Sequence, residues 1–290
     1  MKLTAFFLLL LSSAVFAGPD VSIQQQVASA ATAAQWDNLN PKRLKLRSKS
    51  ALVMDSSGNT VYAKDIDQPR PIASITKLMT AMVILDSGAS LDQKVRITKQ
   101  DRDLQKLTGS RLKYGATLKR KELLMVALLA SDNRAAAALA RTYPGGRKAF
   151  IKAMNKKARA LGMHQSRFTD PTGLDAGNLA SARDLAKMIH SAMAYPLIRK
   201  ATTTRKLEVY PYKGRGALRF GNTNRLLKNQ NWKIRLSKTG YINESGRCLV
   251  MMADIAEKPL MIVLLDSFGK LTPFGDSNRL RNWIEKGVSS

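Results

Sequence analysis

The chain has 290 residues, 44% of them hydrophobic and 24% charged, with one cysteine and a formal net charge of +27. This is the balance of an ordinary globular protein, long enough for one large domain or two modest ones with ample core. A lone cysteine excludes an internal disulfide, so stability has to come from that core, and Cys248 beside Leu249-Val250-Met251-Met252 reads as a small buried hydrophobe.

At the N-terminus Lys2 precedes the apolar run Phe6-Phe7-Leu8-Leu9-Leu10-Leu11, followed by Ser12-Ser13-Ala14-Val15-Phe16-Ala17. A basic residue, a short apolar stretch and small residues before a break describe a secretory signal peptide, residues 1–17, cut after Ala17. The run is too short to span a bilayer comfortably, and neither a later transmembrane run nor a lipidation cysteine follows. The expected location is therefore outside the cytoplasm, without an integral membrane segment once the signal is removed. Export also moves the expected partner of the positive charge from nucleic acid to anionic envelope polymers. The basic clusters, such as those at 42–47 and 119–121, lack the aromatic interleaving of RNA binders.

Residues 18–45 are expected to form a poorly ordered leader, and residues 46–290 a single catalytic domain. Apolar residues 51–54 and 60–63 flank the turn Ser56-Ser57-Gly58-Asn59 and predict a β-hairpin. Pro69 and Pro71 then disfavour helix, so the apolar run after Ser74 predicts a helix starting beside that serine. Helices dominate the next stretch: one over 119–130, apolar nearly all round and hence buried, is broken by Ser131-Asp132-Asn133 and resumed by the alanine-rich 134–141. A third covers 148–161. A turn-rich loop around Pro171-Thr172-Gly173-Leu174 leads to Ser181, which caps a helix running to about Tyr195-Pro196. Strands return at 206–212, 218–220 and 233–237. Residues 248–255 and 260–266 form a hairpin in the middle of a sheet, and 278–286 a short closing helix. The fold class is α+β: a sheet assembled from distant segments, with a helical subdomain at about 87–203 inserted in it.

Three short motifs carry chemistry. Ser74 and Lys77 are three residues apart at a helix start, so the amine stands over the same face as the hydroxyl, beside N–H groups able to stabilise an oxyanion. Taken alone, the pair is an ordinary helix cap next to a solvated lysine. Ser131-Asp132-Asn133 places three polar residues between buried helices, and alone is a capping turn. Lys238-Thr239-Gly240 ends a predicted strand, where glycine permits close approach of another backbone.

In this order and in these contexts, Ser-x-x-Lys, Ser-x-Asn and Lys-Thr-Gly form the signature of penicillin-binding proteins and class A β-lactamases. Longer stretches are more specific: residues 70–82, Asn133-Arg134-Ala135-Ala136-Ala137, Tyr143-Pro144-Gly145-Gly146 and Pro171-Thr172-Gly173-Leu174. Through them nearly all the mature chain resembles the low-molecular-mass penicillin-binding proteins, the serine DD-peptidases, and their endopeptidases above all. The resemblance implies a β-lactamase/DD-peptidase-like fold, mostly antiparallel, and a Gram-negative periplasm. The implied substrate is the peptide stems of peptidoglycan, cut at D-alanyl bonds and cross-links in particular, with β-lactam antibiotics as covalent inhibitors.

Ser74 would attack the carbonyl and form an acyl-enzyme, with Lys77 as base if burial and a neighbouring cation, Lys238, lower its pKa. The family casts Ser131 as a proton relay and Asn133 as the holder of the lysine and the substrate amide. Lys238, Thr239 and Gly240 would line the site for the substrate's acidic end, and the N–H groups of Ser74 and Tyr241 would form the oxyanion hole. No cofactor or metal is implied: His164 and His190 have no cysteine or carboxylate cluster at ligand spacing. Three alternatives stand beside this reading: a DD-carboxypeptidase, a β-lactamase, and a non-catalytic penicillin sensor or wall binder. Against the β-lactamase, residues 162–170 contain no Glu for deacylation, and Asp170 before Pro171 has the look of a turn former.

Overall fold

The computed structural model describes residues 36–289, so the signal-peptide expectation and residues 18–35 lie outside it. In chain order the main elements are β1 (Ser48–Asp55), β2 (Thr60–Lys64), β3 (Arg70–Pro71), α1 (Thr76–Asp86), β4 (Lys94–Arg96), β5 (Thr117–Lys119), α2 (Arg120–Leu129), α3 (Asn133–Arg141) and α4 (Gly146–Ala160). Then come β6 (Leu179–Ala180), α5 (Ala182–Ala192), α6 (Pro196–Thr203), β7 (Lys206–Val209), β8 (Leu218–Gly221), β9 (Lys233–Ile242), β10 (Gly246–Ile255), β11 (Lys258–Ser267) and α7 (Thr272–Val288).

Five strands make one antiparallel sheet in the order β2-β1-β11-β10-β9. The two ends of the chain meet in its centre, where Leu52 pairs with Val263 and Ser48 with Ser267. Side chains alternate across a strand, and here both faces are covered. Leu52, Val250, Val263 and Leu265 face the large core beneath the helices. Their neighbours Ala51, Val53, Leu249, Met251, Ile262 and Leu264 face a second core against Leu280 and Ile284 of α7. This is why the central strands read as continuous apolar runs. The helical region fills the chain between β2 and β9, with α1 in its middle: residues 76–84 are all buried, the apolar ones as core and Lys77 and Thr80 through hydrogen bonds.

Four expectations need correction. Residues 36–45 are packed, not loose: Trp36 donates from Nε1 to Asp55 Oδ2 at 3.1 Å, Leu39 and Leu44 are buried, and Trp283 Nε1 bonds the Asn40 carbonyl at 3.0 Å. Three apolar side chains in an otherwise polar stretch were enough to dock it. The helix expected to run to about Tyr195-Pro196 stops at Ala192, and Pro196 opens a separate helix, α6, where its missing N–H costs nothing at the first turn. Pro273 does the same for α7, which begins six residues before Asn278. Finally, Lys238-Thr239-Gly240 does not end its strand; β9 continues to Ile242, paired with β10 throughout.

Candidate active site

Ser74 lies in a single 3-10 turn, Ala73–Ile75, that leads directly into α1. Its N–H belongs to the first turn, where no intrahelical acceptor exists. The turn is tightly held. Ala73 has a φ of +46°, in the left-handed region that a non-glycine residue occupies only when its surroundings impose it. Two glycines make room for it. A Cβ on Gly173 would lie 1.9 Å from the Ala73 carbonyl oxygen, and one on Gly240 would lie 2.9 Å from the Ile72 oxygen and 3.1 Å from Ser74 N. The glycine of Lys-Thr-Gly therefore brings the edge strand β9 up against the serine, with Tyr241 next along the same edge.

Lys77 follows on the first turn of α1, and its Nζ has three partners: Ser74 Oγ at 2.9 Å, Asn133 Oδ1 at 2.6 Å and the Thr172 carbonyl at 2.6 Å. The last two oxygens can only accept. A neutral amine has two N–H groups and one lone pair, so these two acceptors consume both N–H groups and leave the lone pair for the Ser74 hydroxyl. Burial lowers the Lys77 pKa to about 8, against the opposing pull of the Asp170 and Asp132 carboxylates. Lys238 is buried as well, and its pKa falls well below the ordinary value, first through burial and then through the positive charge of Lys77. Its ammonium donates to the Thr239 carbonyl at 2.9 Å, its one hydrogen bond among the described residues. A buried cation with donors left over is suited to an anionic group. Thr239 Oγ1 lies 2.6 Å from Thr223 Oγ1.

Asn133 begins α3, capped by Asp132, whose carboxylate accepts from Ala135 N at 2.9 Å. The Asn133 amide is oriented from behind: its Nδ2 donates to Thr108 Oγ1 at 2.9 Å, and that hydroxyl donates to Asp103 Oδ2 at 2.7 Å. Burial opposes charge on Asp103, but the Thr108 and Lys106 N–H donors outweigh it and hold the carboxyl below its usual range. Thr108 thus has only an acceptor to offer Asn133, so the amide oxygen turns to Lys77. Ser131 sits between α2 and α3 at a φ of +58°. Its hydroxyl has no hydrogen-bond partner among the described residues, so Lys77 is bonded directly to Ser74 and Asn133, while Ser131, two residues before Asn133, makes no direct bond to them.

The loop that supplies the Thr172 carbonyl is built around Asp170. Its carboxylate accepts from Thr172 N at 3.0 Å, Gly173 N at 2.8 Å, the Thr172 hydroxyl and the Asn178 amide. Thr80 of α1 pins the loop through the Pro171 carbonyl at 2.7 Å. The sequence reading missed Thr108 and Thr172 as parts of the site. A backbone carbonyl has no residue signature, whereas Thr108 could have been suspected from Asp103, five residues earlier, as a loop-capping pair. Cys248 is buried, its thiol pushed up to about 11 by that burial.

Comparison with known proteins agrees with this geometry. Residues 36–269 match the family described as D-alanyl-D-alanine carboxypeptidase. The D-alanyl-D-alanine endopeptidase of Escherichia coli is 44% identical over 99% of this chain and 89% of its own length. That of Pseudomonas aeruginosa is 46% identical over 85% of this chain and 80% of its own. Among solved structures, a Streptomyces DD-transpeptidase superposes with a TM-score of 0.78 at 29% identity, covering 85% of this chain and 98% of that one. A three-motif cleft on this α+β scaffold, matched over most of its length, places the chain in the D-alanyl-D-alanine carboxypeptidase family, as a hydrolase of the serine DD-peptidase type.

Proposed function

We propose that the protein is a periplasmic DD-endopeptidase that cuts D-alanyl cross-links in peptidoglycan through an acyl-enzyme on Ser74, and that penicillins acylate the same residue. The observation that carries this reading is the Lys77 amine held between Ser74 Oγ, Asn133 Oδ1 and the Thr172 carbonyl. Neutral Lys77 takes the Ser74 proton as Oγ bonds to the D-alanyl carbonyl carbon. The N–H groups of Ser74 and Tyr241 receive the developing oxyanion. The C–N bond then breaks, and the proton reaches the leaving amine by way of Lys77 and Ser131. Water, deprotonated by the same amine, releases the acid and restores Ser74. Lys238 and Thr239 hold the substrate's carboxylate, or that of a penicillin, beside Gly240, and Asn133 holds the substrate amide.

Cross-link cleavage, rather than removal of a terminal D-alanine, is supported by the names of the relatives at 44% and 46% identity. Export is supported by the residues at the N-terminus. Slow release of penicillin, unlike a β-lactamase, is supported by Asp170, whose carboxylate is committed to its own loop. The test incubates protein lacking residues 1–17 with labelled penicillin, cross-linked muropeptide dimers and monomeric pentapeptide. Ser74-dependent labelling and loss of dimer are expected. Equal labelling of wild type and Ser74→Ala would sink the mechanism, and release of D-alanine from pentapeptide without dimer cleavage would make the enzyme a carboxypeptidase.

A further inference from the structure

Apart from the residues of the cleft, a groove of about 1,210 Å³ runs between residues 111–119 and the loop joining β7 to β8. Its walls are tied together by hydrogen bonds: Thr117 N donates to the Pro211 carbonyl at 2.9 Å, and Lys113 N to the Tyr212 hydroxyl at 2.8 Å. Its lining is cationic and aromatic, including Arg111, Lys113, Lys213 and Arg215 with Tyr114 and Tyr210. The one acid in the lining, Glu122, is already engaged as acceptor for Lys119 N at 2.7 Å. Among the described residues Lys113, Lys213 and Arg215 form no ion pair, although most acids near other basic residues do. Tyr210 is 67% and Tyr114 42% exposed, an unusual presentation of large rings to solvent. The Arg134 guanidinium backs the Tyr114 ring at 4.7 Å.

Both walls lead to the catalytic cleft. One runs from Lys113 back through Leu112, whose carbonyl accepts from Arg134, and Ser110, which donates to Asp132 at 2.7 Å, to Thr108 behind Asn133. The other runs along β8 to Thr223, bonded to Thr239. Leu218 and Thr223 are five positions apart, a span of at most about 18 Å. Each wall of the groove is thus continuous with residues that position the cleft, Asn133 on one side and Thr239 on the other.

We infer that this groove is a docking channel for the polymeric substrate: the amino-sugar strand of peptidoglycan with its carboxylate-bearing peptide stems. Sugar rings present C–H faces that pack on exposed tyrosines, and the stem carboxylates meet unpaired lysine and arginine. The inference rests on the peptidoglycan reading above. Salt screens such exposed charges, so docking weakens as ionic strength rises.

The test compares wild type with the triple variant Lys113→Gln, Lys213→Gln, Arg215→Gln, and separately with Tyr210→Ala. Three rates are measured: penicillin acylation, which reports a formed Ser74 site, cleavage of soluble muropeptide dimer, and cleavage of intact sacculi. Binding to sacculi is followed against salt. The expected result is a fall of about tenfold in kcat/KM on sacculi relative to soluble dimer, with a shallower salt dependence, as for the loss of three screened charge contacts. An unchanged ratio overturns the inference, and so does an equal fall on both substrates. Retention by anionic phospholipid vesicles that the triple variant loses, with sacculus binding intact, would overturn it in favour of a phosphate surface. Failure of wild type to cleave dimer at all would instead strike the proposed function.

Discussion

Lysine occurs in two contrasting regions of this molecule. In the cleft, Lys77 and Lys238 are each 1% exposed, and burial drives their pKa values down. In the groove, Lys113 and Lys213 are exposed and form no ion pair among the described residues. The side chain is the same; its surroundings decide whether it exchanges a proton or only presents a charge. Desolvation makes the neutral amine of Lys77 accessible near pH 8, and geometry then assigns its lone pair.

This contrast can be tested at each level. Lys77→Arg keeps the charge but removes the base, since a guanidinium does not deprotonate; acylation by penicillin should fall on the order of 10³-fold while Ser74 remains in place. A rate within tenfold of wild type would show that Lys77 acts only as a charge. In the wild-type enzyme the acylation rate should rise with pH up to about 8 and level off above it, because the neutral form of Lys77 is the active one and becomes dominant above its pKa. Lys238→Gln removes a like charge from that neighbourhood. The acidic limb should move to higher pH, and binding of carboxylate-bearing ligands should weaken on the order of tenfold to a hundredfold. A limb that stays put would uncouple the two lysines.

Thr108→Val leaves the Asn133 amide without its acceptor and should lower kcat by roughly tenfold, with Thr108→Ser restoring it. Equal loss in both variants would point to packing rather than orientation. The smallest effect belongs to the groove: its triple variant should change penicillin acylation by less than about twofold, since exposed charges at this remove from Ser74 are screened.

Much of the cleft was legible because its residues depend on local spacing. Ser74 and Lys77 meet at 2.9 Å because residues three apart share a helical face, and Asn133 stood out as a polar residue in a break between buried helices. The apolar runs likewise gave β10 and β11 nearly to the residue. What escaped was set by tertiary contact. Gly240 read as a place where another backbone comes close, but not which one; the approach is to Ser74 N, remote in sequence. Thr172 contributes a carbonyl, which every residue has. Pro196 was taken for a stop because the same ring that ends one helix is well placed to start another. Trp36 and Leu39 were hidden in an alanine- and glutamine-rich context, and only the core beneath α7 shows what they cover.

The close approach of Gly240 to Ser74 also sets when activity can arise. Ser74 and Lys77 are present early in the chain, but β9 takes its place only by pairing with β10, which in turn pairs with β11, and β11 with β1. The second wall of the cleft therefore waits for residues 258–267 to be made. Such long-range pairing is slow and completes late in folding. An emerging chain carries its nucleophile and base well before it carries an oxyanion hole or a carboxylate site, so hydrolytic competence is a property of the finished sheet alone.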